Sequence, residues 1–359
     1  MRAVRAIIVG EQQVRFEAFT LPGEPEGAGV LVQMERTIVS AGTELANYTG
    51  LEPDTRVKGA WCAYPWTPGY GGVGRVLAVG PDVTHLKPGA RVFGIFQHAS
   101  HTLVDVSSQL CVPVPEGLDA TTAVMARMCG VAITAYRRAQ SSLGETVVVF
   151  GLGLVGNLAG QFFARAGSRV LGLDVSARRR TLAAETGLHD TLDPAGLSEP
   201  ELLAQIGKRT GRGRPPVIVD AVGDSRIVEQ AVGLAADNGQ VILLGTPRAP
   251  YHADSTAMLR RAHFHGVTIT GALEWTVPLL KRQSPGVTTE GNTELIFRML
   301  SEGALKVLPL CSHVIAPDRL NDAYQGLLHD KNAYLGVVLD WENEPAPMPM
   351  AAPVAEGGP

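Results

Sequence analysis

The spacing of hydrophobic residues changes near position 120. Before it, short β-type runs such as 29–34 and 91–95 alternate with Pro-Gly turns, which predicts a mostly β domain. After it, helical and β-branched stretches alternate, which predicts parallel βαβ units. The predicted strands are 146–150, 169–173, 217–221 and 240–244, and the predicted helices are 121–140, 156–166, 177–186 and 226–236.

The pattern loosens after 271 and then predicts two helices, 292–302 and 320–329, and a last strand, 335–340. We therefore expect a first domain over 1–130, a second over 131–273, and a return segment over 274–341 that completes the first. The stretch 342–359 is rich in Pro, Ala and Gly and is predicted to be disordered.

Composition narrows the function classes. The 359 residues carry 31 basic and 35 acidic side chains, a net charge of −4, so nucleic acid is not an expected partner. No apolar run is long enough to cross a membrane, and the first residues lack the pattern of a signal peptide. We expect a cytoplasmic enzyme that acts on a small molecule, with its four scattered cysteines as buried free thiols.

A glycine motif follows the first strand of the βαβ region. Gly151, Gly153 and Gly156 have the GxGxxG spacing between strand 146–150 and a helix, and Asp174 ends the next strand. The first glycine permits a tight turn, the second lets the backbone approach a pyrophosphate, and the third lets helix and sheet pack closely. The N–H groups of the first helical turn, at Leu154 and Val155, would face the phosphates. This predicts a Rossmann domain, a doubly wound parallel sheet that binds NAD or NADP.

The choice between the two cofactors stays open at this point. Asp174 would accept hydrogen bonds from the adenosine ribose and repel a 2′-phosphate, which favours NAD. Arg178, Arg179 and Arg180 follow closely, and arginine is what a 2′-phosphate needs. We favour NAD.

Ordered landmarks along the chain carry a family resemblance. They are Ser40–Glu44, Pro68–Gly74, Lys87–Gly94, Val112–Pro115, Thr134–Tyr136, Gly151–Gly156 and Val219–Gly223. Together they resemble the medium-chain dehydrogenase/reductase superfamily, and most of all its bacteriochlorophyllide hydroxyethyl dehydrogenase-like branch. The resemblance implies an α/β architecture in which a GroES-like substrate domain surrounds a Rossmann domain, with the active site between them. It also implies homodimers or homotetramers built through the edge strand near 267–273.

The resemblance also implies roles for single residues. Thr134, Val222 and Thr246 match positions near the cofactor, and Phe96 begins the loop that lines the substrate. Trp66 and Trp275 are expected to line an apolar or ring-stacking pocket, although single tryptophans more often belong to a core or a subunit contact.

The zinc ligands of metal-dependent members are replaced here. The segments that would supply the first two ligands read Ala41-Gly-Thr-Glu and Gly69-Tyr70-Gly71, and Cys129 alone falls near the third ligand position. One thiolate cannot hold zinc in a site that needs three protein ligands. A substitute site from His98, His101 and Cys129 matches no common zinc spacing. We expect no metal.

Without zinc, hydrogen-bond donors must stabilise the alkoxide that forms as hydride moves. We expect Tyr70 or His98 to act as acid and base, with Thr43 and Glu44 in support. The alternatives are that Tyr70 fills the space of the metal as a packing aromatic, and that His98 is a structural loop histidine.

The leading functional hypothesis is interconversion of a secondary alcohol and a ketone. A second hypothesis is reduction of an activated C=C bond, which needs little alkoxide stabilisation. A third is a non-catalytic NAD(P)-binding regulator that kept the fold and lost the chemistry.

Overall fold

A computed structural model describes residues 1–342, and the chain divides into two compact units. Unit 1 comprises Met1–Val124, His313–Asp330 and the chain from Val337 onward, and unit 2 comprises Met125–Ser312 and Lys331–Gly336. The tail predicted to be disordered lies outside the described residues except for Glu342.

Unit 1 is mostly β, as its alternating sequence predicts. Its strands are β1 (Arg2–Gly10), β2 (Gln13–Thr20), β3 (Gly29–Ile38), β4 (Gly72–Val79), β5 (Arg91–Gly94), β6 (His101–Asp105) and β7 (Cys111–Pro113). The chain returns through β14 (Cys311–Ile315), α9 (Leu320–His329) and β15 (Gly336–Asp340). A sheet runs in the order β14-β15-β3-β4-β5-β7, with β6 also paired to β3, while β1 and β2 form a separate pair.

One strand pairing in unit 1 sets the geometry of the candidate site. β3 and β4 are antiparallel, with Thr37 opposite Gly72, and the Ile38 N–H donates to the Gly71 carbonyl over 3.1 Å. The chain leaving β3 therefore lies beside the chain entering β4. Helix α1 (Ala41–Tyr48) starts directly after this point.

Unit 2 contains a six-stranded parallel sheet in the order β10-β9-β8-β11-β12-β13. The strands are β8 (Thr146–Phe150), β9 (Arg169–Leu173), β10 (Asp190–Leu192), β11 (Val217–Asp220), β12 (Gln240–Leu243) and β13 (Thr268–Gly271). The helices are α2 (Ala120–Arg138), α3 (Leu154–Arg165), α4 (Ala177–Glu185), α5 (Glu199–Thr210), α6 (Ser225–Leu234), α7 (Thr256–His265) and α8 (Thr289–Ser301). Every residue of β8 and β11 is buried, which explains why both strands are mostly apolar. The predicted fold class, a mostly β domain with a Rossmann-type parallel sheet, is confirmed.

The predicted return segment is divided between the units. Residues 274–312 group with unit 2, and the chain rejoins unit 1 at His313. Two contacts account for the difference. The Gln161 side chain exchanges hydrogen bonds with the backbone N–H and carbonyl of Lys306 (2.9 and 3.1 Å), and the buried Arg127 and Glu274 side chains form an ion pair. Both contacts join residues far apart in sequence, which a local pattern does not reveal.

Two further observations bear on the class of protein. Within residues 1–342, no helix combines the length and apolar character that crossing a membrane requires. None of the four cysteines is in a disulfide, and three of them are buried.

Candidate active site

The glycine motif forms a tight turn between β8 and α3. Gly151 has φ of +87°, a left-handed conformation that favours glycine. A Cβ at Gly156 would lie 1.9 Å from the Gly151 carbonyl oxygen, so a side chain there cannot fit without moving the backbone. Gly153 occupies the N-cap of α3, and a Cβ there would meet nothing closer than an Arg179 nitrogen at 3.8 Å. The space above Gly153 and the N–H groups of the first helical turn fit a pyrophosphate.

Asp174, at the end of β9, joins this turn to α4. Its Oδ2 accepts from the Leu152 N–H and its Oδ1 from the Ser176 N–H, both over 2.8 Å. The side chain is buried, yet each carboxylate oxygen keeps a further lone pair for a ribose hydroxyl. Asp174 thus has the position that the sequence predicts and also fixes the glycine turn.

The three arginines after Asp174 bond to the protein itself. An Arg178 nitrogen donates to the Asn332 carbonyl over 2.6 Å, and an Arg179 nitrogen to the Lys331 carbonyl over 3.2 Å. Arg180 donates to the Asp174 carbonyl and pairs with the carboxylate of Asp193.

The other predicted cofactor residues lie in different environments. Val222 is 52% exposed and packs over Gly151, and Thr246 is exposed. Thr134 is buried, and its hydroxyl lies 2.8 Å from the Ala272 carbonyl oxygen. Leu154 and Val155 are half-buried in the first turn of α3.

Sequence reasoning missed Asp220 at the end of β11. Its carboxylate accepts from the N–H groups of Val222 and Gly223, and burial raises the pKa of Asp220 above its ordinary value. Asp220 thereby fixes the turn that carries Val222.

Glu44 is the centre of a buried polar network in unit 1. Its Oε2 accepts from the Tyr324 hydroxyl over 2.7 Å and lies 3.0 Å from His98 Nε2. Its Oε1 accepts from the Ser40 N–H over 2.8 Å. The Glu44 and His98 side chains have no exposed surface. Three donors thus surround a carboxylate that has no contact with water.

The second nitrogen of His98 extends the network. Nδ1 lies 2.8 Å from Thr37 Oγ1, which accepts from Trp341 Nε1 over 2.9 Å. With neutral His98 protonated on Nε2, the indole donates to Thr37, Thr37 donates to Nδ1, and Nε2 donates to Glu44. Every hydrogen then has an acceptor.

Tyr324 is a constant donor in this network. The pKa of Tyr324 is raised well above its ordinary value, mainly by burial and secondly by the nearby Glu44 carboxylate. The phenol therefore stays protonated at neutral and mildly alkaline pH.

Tyr70 and Ser40 form a hydroxyl pair beside this network. Their Oη and Oγ atoms are hydrogen bonded, in the place where the pairing of β3 and β4 brings residues 38–40 next to 69–71. Gly69 has φ of +91°, and a Cβ there would lie 2.4 Å from the backbone nitrogen of His98. A residue with a side chain at position 69 would therefore push the chain before Tyr70 away from His98. Tyr70 is half-buried and Ser40 is buried.

Comparison with known proteins agrees with both units. The model of the alcohol dehydrogenase GroES-like domain matches residues 29–150, and that of the zinc-binding dehydrogenase matches 155–281. A 2-desacetyl-2-hydroxyethyl bacteriochlorophyllide A dehydrogenase from Cereibacter sphaeroides is 26% identical, over 95% of this chain and 99% of its own length. The chain belongs to the medium-chain dehydrogenase/reductase superfamily. It is therefore an NAD(P)-dependent oxidoreductase.

Solved structures share the fold of this medium-chain dehydrogenase. Galactitol-1-phosphate dehydrogenase from Escherichia coli superposes with a TM-score of 0.78 at 20% identity, over 94% of this chain and 99% of its own. An alcohol dehydrogenase from Escherichia coli CFT073, solved with NADH, gives 0.77 at 18% identity, over 94% and 99%.

The residues at the zinc positions of this dehydrogenase do not fit a zinc ion. Ala41 opens α1 without a ligand atom, Gly71 has no side chain, and the Tyr70 hydroxyl is hydrogen bonded to Ser40. Cys129, near the third ligand position, is a buried thiol, and one thiol does not replace the three protein ligands that zinc needs. Within residues 1–342, no group of three or more His, Cys, Asp or Glu is placed to hold a metal ion.

The structure of this dehydrogenase places the other predicted site residues as follows. Thr43 is half-buried in α1, and its carbonyl accepts from the Asn47 side chain. Phe96 is 2% exposed, with its side chain against Gly72 and Gly94.

Of the predicted tryptophans, Trp66 is half-buried and meets the Trp61 ring edge-on, with 6.2 Å between the ring centroids. Trp275 is 57% exposed, and the Arg127 guanidinium lies 5.6 Å from the centre of its ring.

Sequence reasoning missed four members of the networks in unit 1, which are Thr37, Ser40, Tyr324 and Trp341. One of them, Ser40, carried a usable signal. Ser40 directly precedes the Ala-Gly-Thr-Glu segment, and a serine before a helix invites the question of what its hydroxyl binds. Thr37 and Trp341 are brought together by the pairing of β3 with β15, where Thr37 is opposite Leu339, a contact across 304 residues that no local pattern shows.

Proposed function

We propose that this dehydrogenase interconverts a secondary alcohol and a ketone without a catalytic zinc ion. One observation carries the proposal: the position of a family zinc ligand holds a tyrosine whose hydroxyl is hydrogen bonded to a second hydroxyl, that of Ser40. A phenol hydroxyl held beside a second hydroxyl has the proton and the partner that acid–base exchange with a substrate oxygen requires. The bacteriochlorophyllide dehydrogenase relative, named for a hydroxyethyl substrate, supports the alcohol assignment.

Tyr70 is the proposed acid and base. A nicotinamide cofactor held by the glycine turn and Asp174 would supply the hydride chemistry at the substrate carbon. In the reducing direction the Tyr70 hydroxyl donates its proton to the carbonyl oxygen as negative charge develops there, and in the oxidising direction the phenolate takes the proton of the alcohol. Such proton transfer contributes about 10²–10⁴-fold to a rate.

His98 is proposed to support the site rather than to exchange protons with substrate. Its side chain has no exposed surface, and Thr37 and Glu44 engage both ring nitrogens. A general acid must reach the substrate within hydrogen-bond distance, and a ring held on both sides would first have to give up a buried partner. We propose that Glu44 likewise acts through its contacts, with Thr43 beside it on α1.

The proposed cofactor is NAD. Asp174 presents a carboxylate at the end of β9, where it repels a 2′-phosphate, and Arg178 and Arg179 donate to backbone carbonyls of the segment 331–332. We expect Asp174→Ala to weaken NADH binding and to raise the ratio of NADH Kd to NADPH Kd, both measured by quenching of protein fluorescence. Tighter binding of NADPH than of NADH to the parent protein would overturn the choice of NAD.

We propose that the protein forms a homodimer or a larger homo-oligomer through β13. This strand ends the parallel sheet, so one side of its backbone pairs with no strand within residues 1–342. Ile269 and Leu273 are 42% and 53% exposed, and the neighbouring helix α7 buries none of its residues. An exposed edge strand with apolar side chains is a template for pairing with a second copy. Light scattering should give a mass at least twice that of the chain, and Ile269→Lys should lower it.

The cytoplasm is the proposed location, because cysteines that are not in disulfides suit a reducing compartment. The proposed partner is a small-molecule substrate and not nucleic acid, since the net charge is −4.

A substrate panel tests the proposed activity. The protein is incubated with NADH or NADPH and ketones in one series and enones in another, and the absorbance of the reduced nicotinamide is followed. We expect consumption with ketones, and a loss of at least about 10²-fold in Tyr70→Phe. Consumption with enones alone would instead support reduction of activated C=C bonds. Cofactor binding without turnover on any substrate would support a regulator.

A further inference from the structure

Ser40 occupies the N-cap of α1 but does not cap the helix. A serine at this position normally accepts a hydrogen bond from a backbone N–H in the first turn, which stabilises a helix by about 1 kcal/mol. The Ser40 side chain makes no such bond. Thr288, by contrast, accepts from the Gly291 N–H over 3.0 Å at the start of α8. The chain thus gives up a common stabilising contact at Ser40.

The Ser40 hydroxyl is instead hydrogen bonded to the Tyr70 hydroxyl. The backbone of Ser40 is held by a separate hydrogen bond. The Ser40 N–H donates to Glu44 Oε1, the oxygen that His98 and Tyr324 leave available. Because the N–H is committed to Glu44, the hydroxyl is the group that Ser40 can offer to Tyr70. Proteins that break a local rule in this way do so most often at functional sites.

We propose that Ser40 is a positioning residue that holds the Tyr70 hydroxyl and stabilises its ionised form, with its own place set by the buried Glu44 network. The inference rests on the proposed role of Tyr70 in proton transfer. When Tyr70 gives its proton to the substrate oxygen, its O–H bond breaks and the O–H bond of the alcohol forms. The phenolate then accepts a hydrogen bond from the Ser40 hydroxyl, which keeps its own proton, and the phenolate is reprotonated from solvent.

The charges around the pair are compatible with a transient phenolate. Glu44 supplies the carboxylate of the network, and it is engaged by three groups, Ser40 N–H, Tyr324 Oη–H and His98 Nε2. His98 also packs against Gly69, the residue before Tyr70. The titratable groups of the network near Tyr70 are therefore Glu44, His98 and Tyr324. Because Glu44 is already engaged by these three groups, the Ser40 hydroxyl can hydrogen bond to Tyr70 instead.

A double-mutant cycle tests whether Ser40 acts through Tyr70. Loss of a hydrogen bond to a charged group corresponds to about a ten- to hundredfold change in rate. We expect Ser40→Ala to lower kcat for ketone reduction by that factor with KM within about threefold, and Ser40→Thr, which keeps a hydroxyl, to restore most of the loss. In a Tyr70→Phe background, Ser40→Ala should change kcat less than about twofold, because its partner is gone. Thr288→Ala serves as the matched control, since it removes a true helix cap and should leave kcat unchanged.

An absorbance titration separates this inference from the proposed function. The ultraviolet signal of tyrosinate, taken as the difference between parent and Tyr70→Phe, follows Tyr70 without any turnover. Ser40→Ala should move the midpoint of that titration upward by about one pH unit or more, since the phenolate loses a donor.

Each outcome is decisive. If Ser40→Ala slows turnover equally in both backgrounds, or leaves the Tyr70 titration unchanged, Ser40 has a structural role alone and the inference fails. If Tyr70→Phe keeps full activity, the proposed function of Tyr70 fails instead. An upward shift of the titration midpoint in Ser40→Ala would then still support the contact between the two hydroxyls.

Discussion

The Tyr324→Phe substitution measures how strongly the buried Glu44 carboxylate depends on its donors. It removes one oxygen and keeps the ring, which packs against Tyr48 with 4.8 Å between the ring centroids. The lost contact is the 2.7 Å bond to Glu44 Oε2, in a place with no exposed surface. Hydrogen bonds to charged groups contribute about 1.5–3 kcal/mol, so we expect the free energy of unfolding to fall by about that amount.

Tyr48→Phe is the matched control from the same ring pair. The Tyr48 hydroxyl donates to the side chain of Asn321 over 2.8 Å, and it accepts from Gln325 over 2.8 Å. Both partners are neutral, Asn321 is exposed and Gln325 is partly so, and they can therefore turn to water. The expected loss is at most about 1 kcal/mol.

Guanidinium unfolding, monitored by tryptophan fluorescence, gives the free energy of unfolding of both variants. Three of the four tryptophans, Trp61, Trp66 and Trp341, belong to unit 1. A Trp275→Phe background therefore restricts the signal to the unit that holds the network. Because the Tyr324 pKa is raised, the difference between the variants should not change from neutral to mildly alkaline pH. A loss for Tyr324→Phe no larger than that for Tyr48→Phe would refute the importance of the Tyr324 hydrogen bond to Glu44.

Three other predictions follow from buried groups, two in unit 2 and one in unit 1. Gly156→Ala should abolish NADH binding in a fluorescence titration and lower the melting temperature, because its Cβ would lie 1.9 Å from the Gly151 carbonyl oxygen; unchanged binding would contradict the close approach. Arg127→Met should cost about 3–5 kcal/mol in chemical unfolding, because it leaves the buried Glu274 without its partner, and adding Glu274→Leu should recover most of this loss. Burial raises the pKa of the Cys111 thiol to about 12, so mass spectrometry of the native protein after iodoacetamide at pH 8 should find this residue unmodified, and rapid labelling there would show that the strand opens.

The sequence predicted the parts of the molecule that depend on neighbours along the chain. The glycine turn and Asp174 were predictable because strand, turn and helix follow one another within 24 residues. Helix α5 was missed, although Ser198 and Glu201 form a capping box at its start, a signal that could have found it. A capping box can thus mark the start of a helix that apolar spacing does not indicate.

The candidate site was less predictable because its contacts are distant in sequence. Glu44 and Tyr324 are 280 residues apart, and Ser40 and Tyr70 are 30 apart. The residues that replace zinc ligands could be read directly, since Ala41 and Gly71 have no ligand atoms. The hydrogen-bond partners of His98 and Tyr70 depend on strand pairing and on the return of the chain to unit 1. Those long-range contacts leave the His98 side chain fully buried and the Tyr70 side chain half-buried.

The most direct test of a zinc-free mechanism is the zinc content of the active enzyme before and after exhaustive chelation, with kcat for ketone reduction measured on the same samples. The account predicts far less than one zinc per chain in both samples and an unchanged kcat. One zinc per chain, with activity lost on chelation and restored by adding zinc, would contradict it.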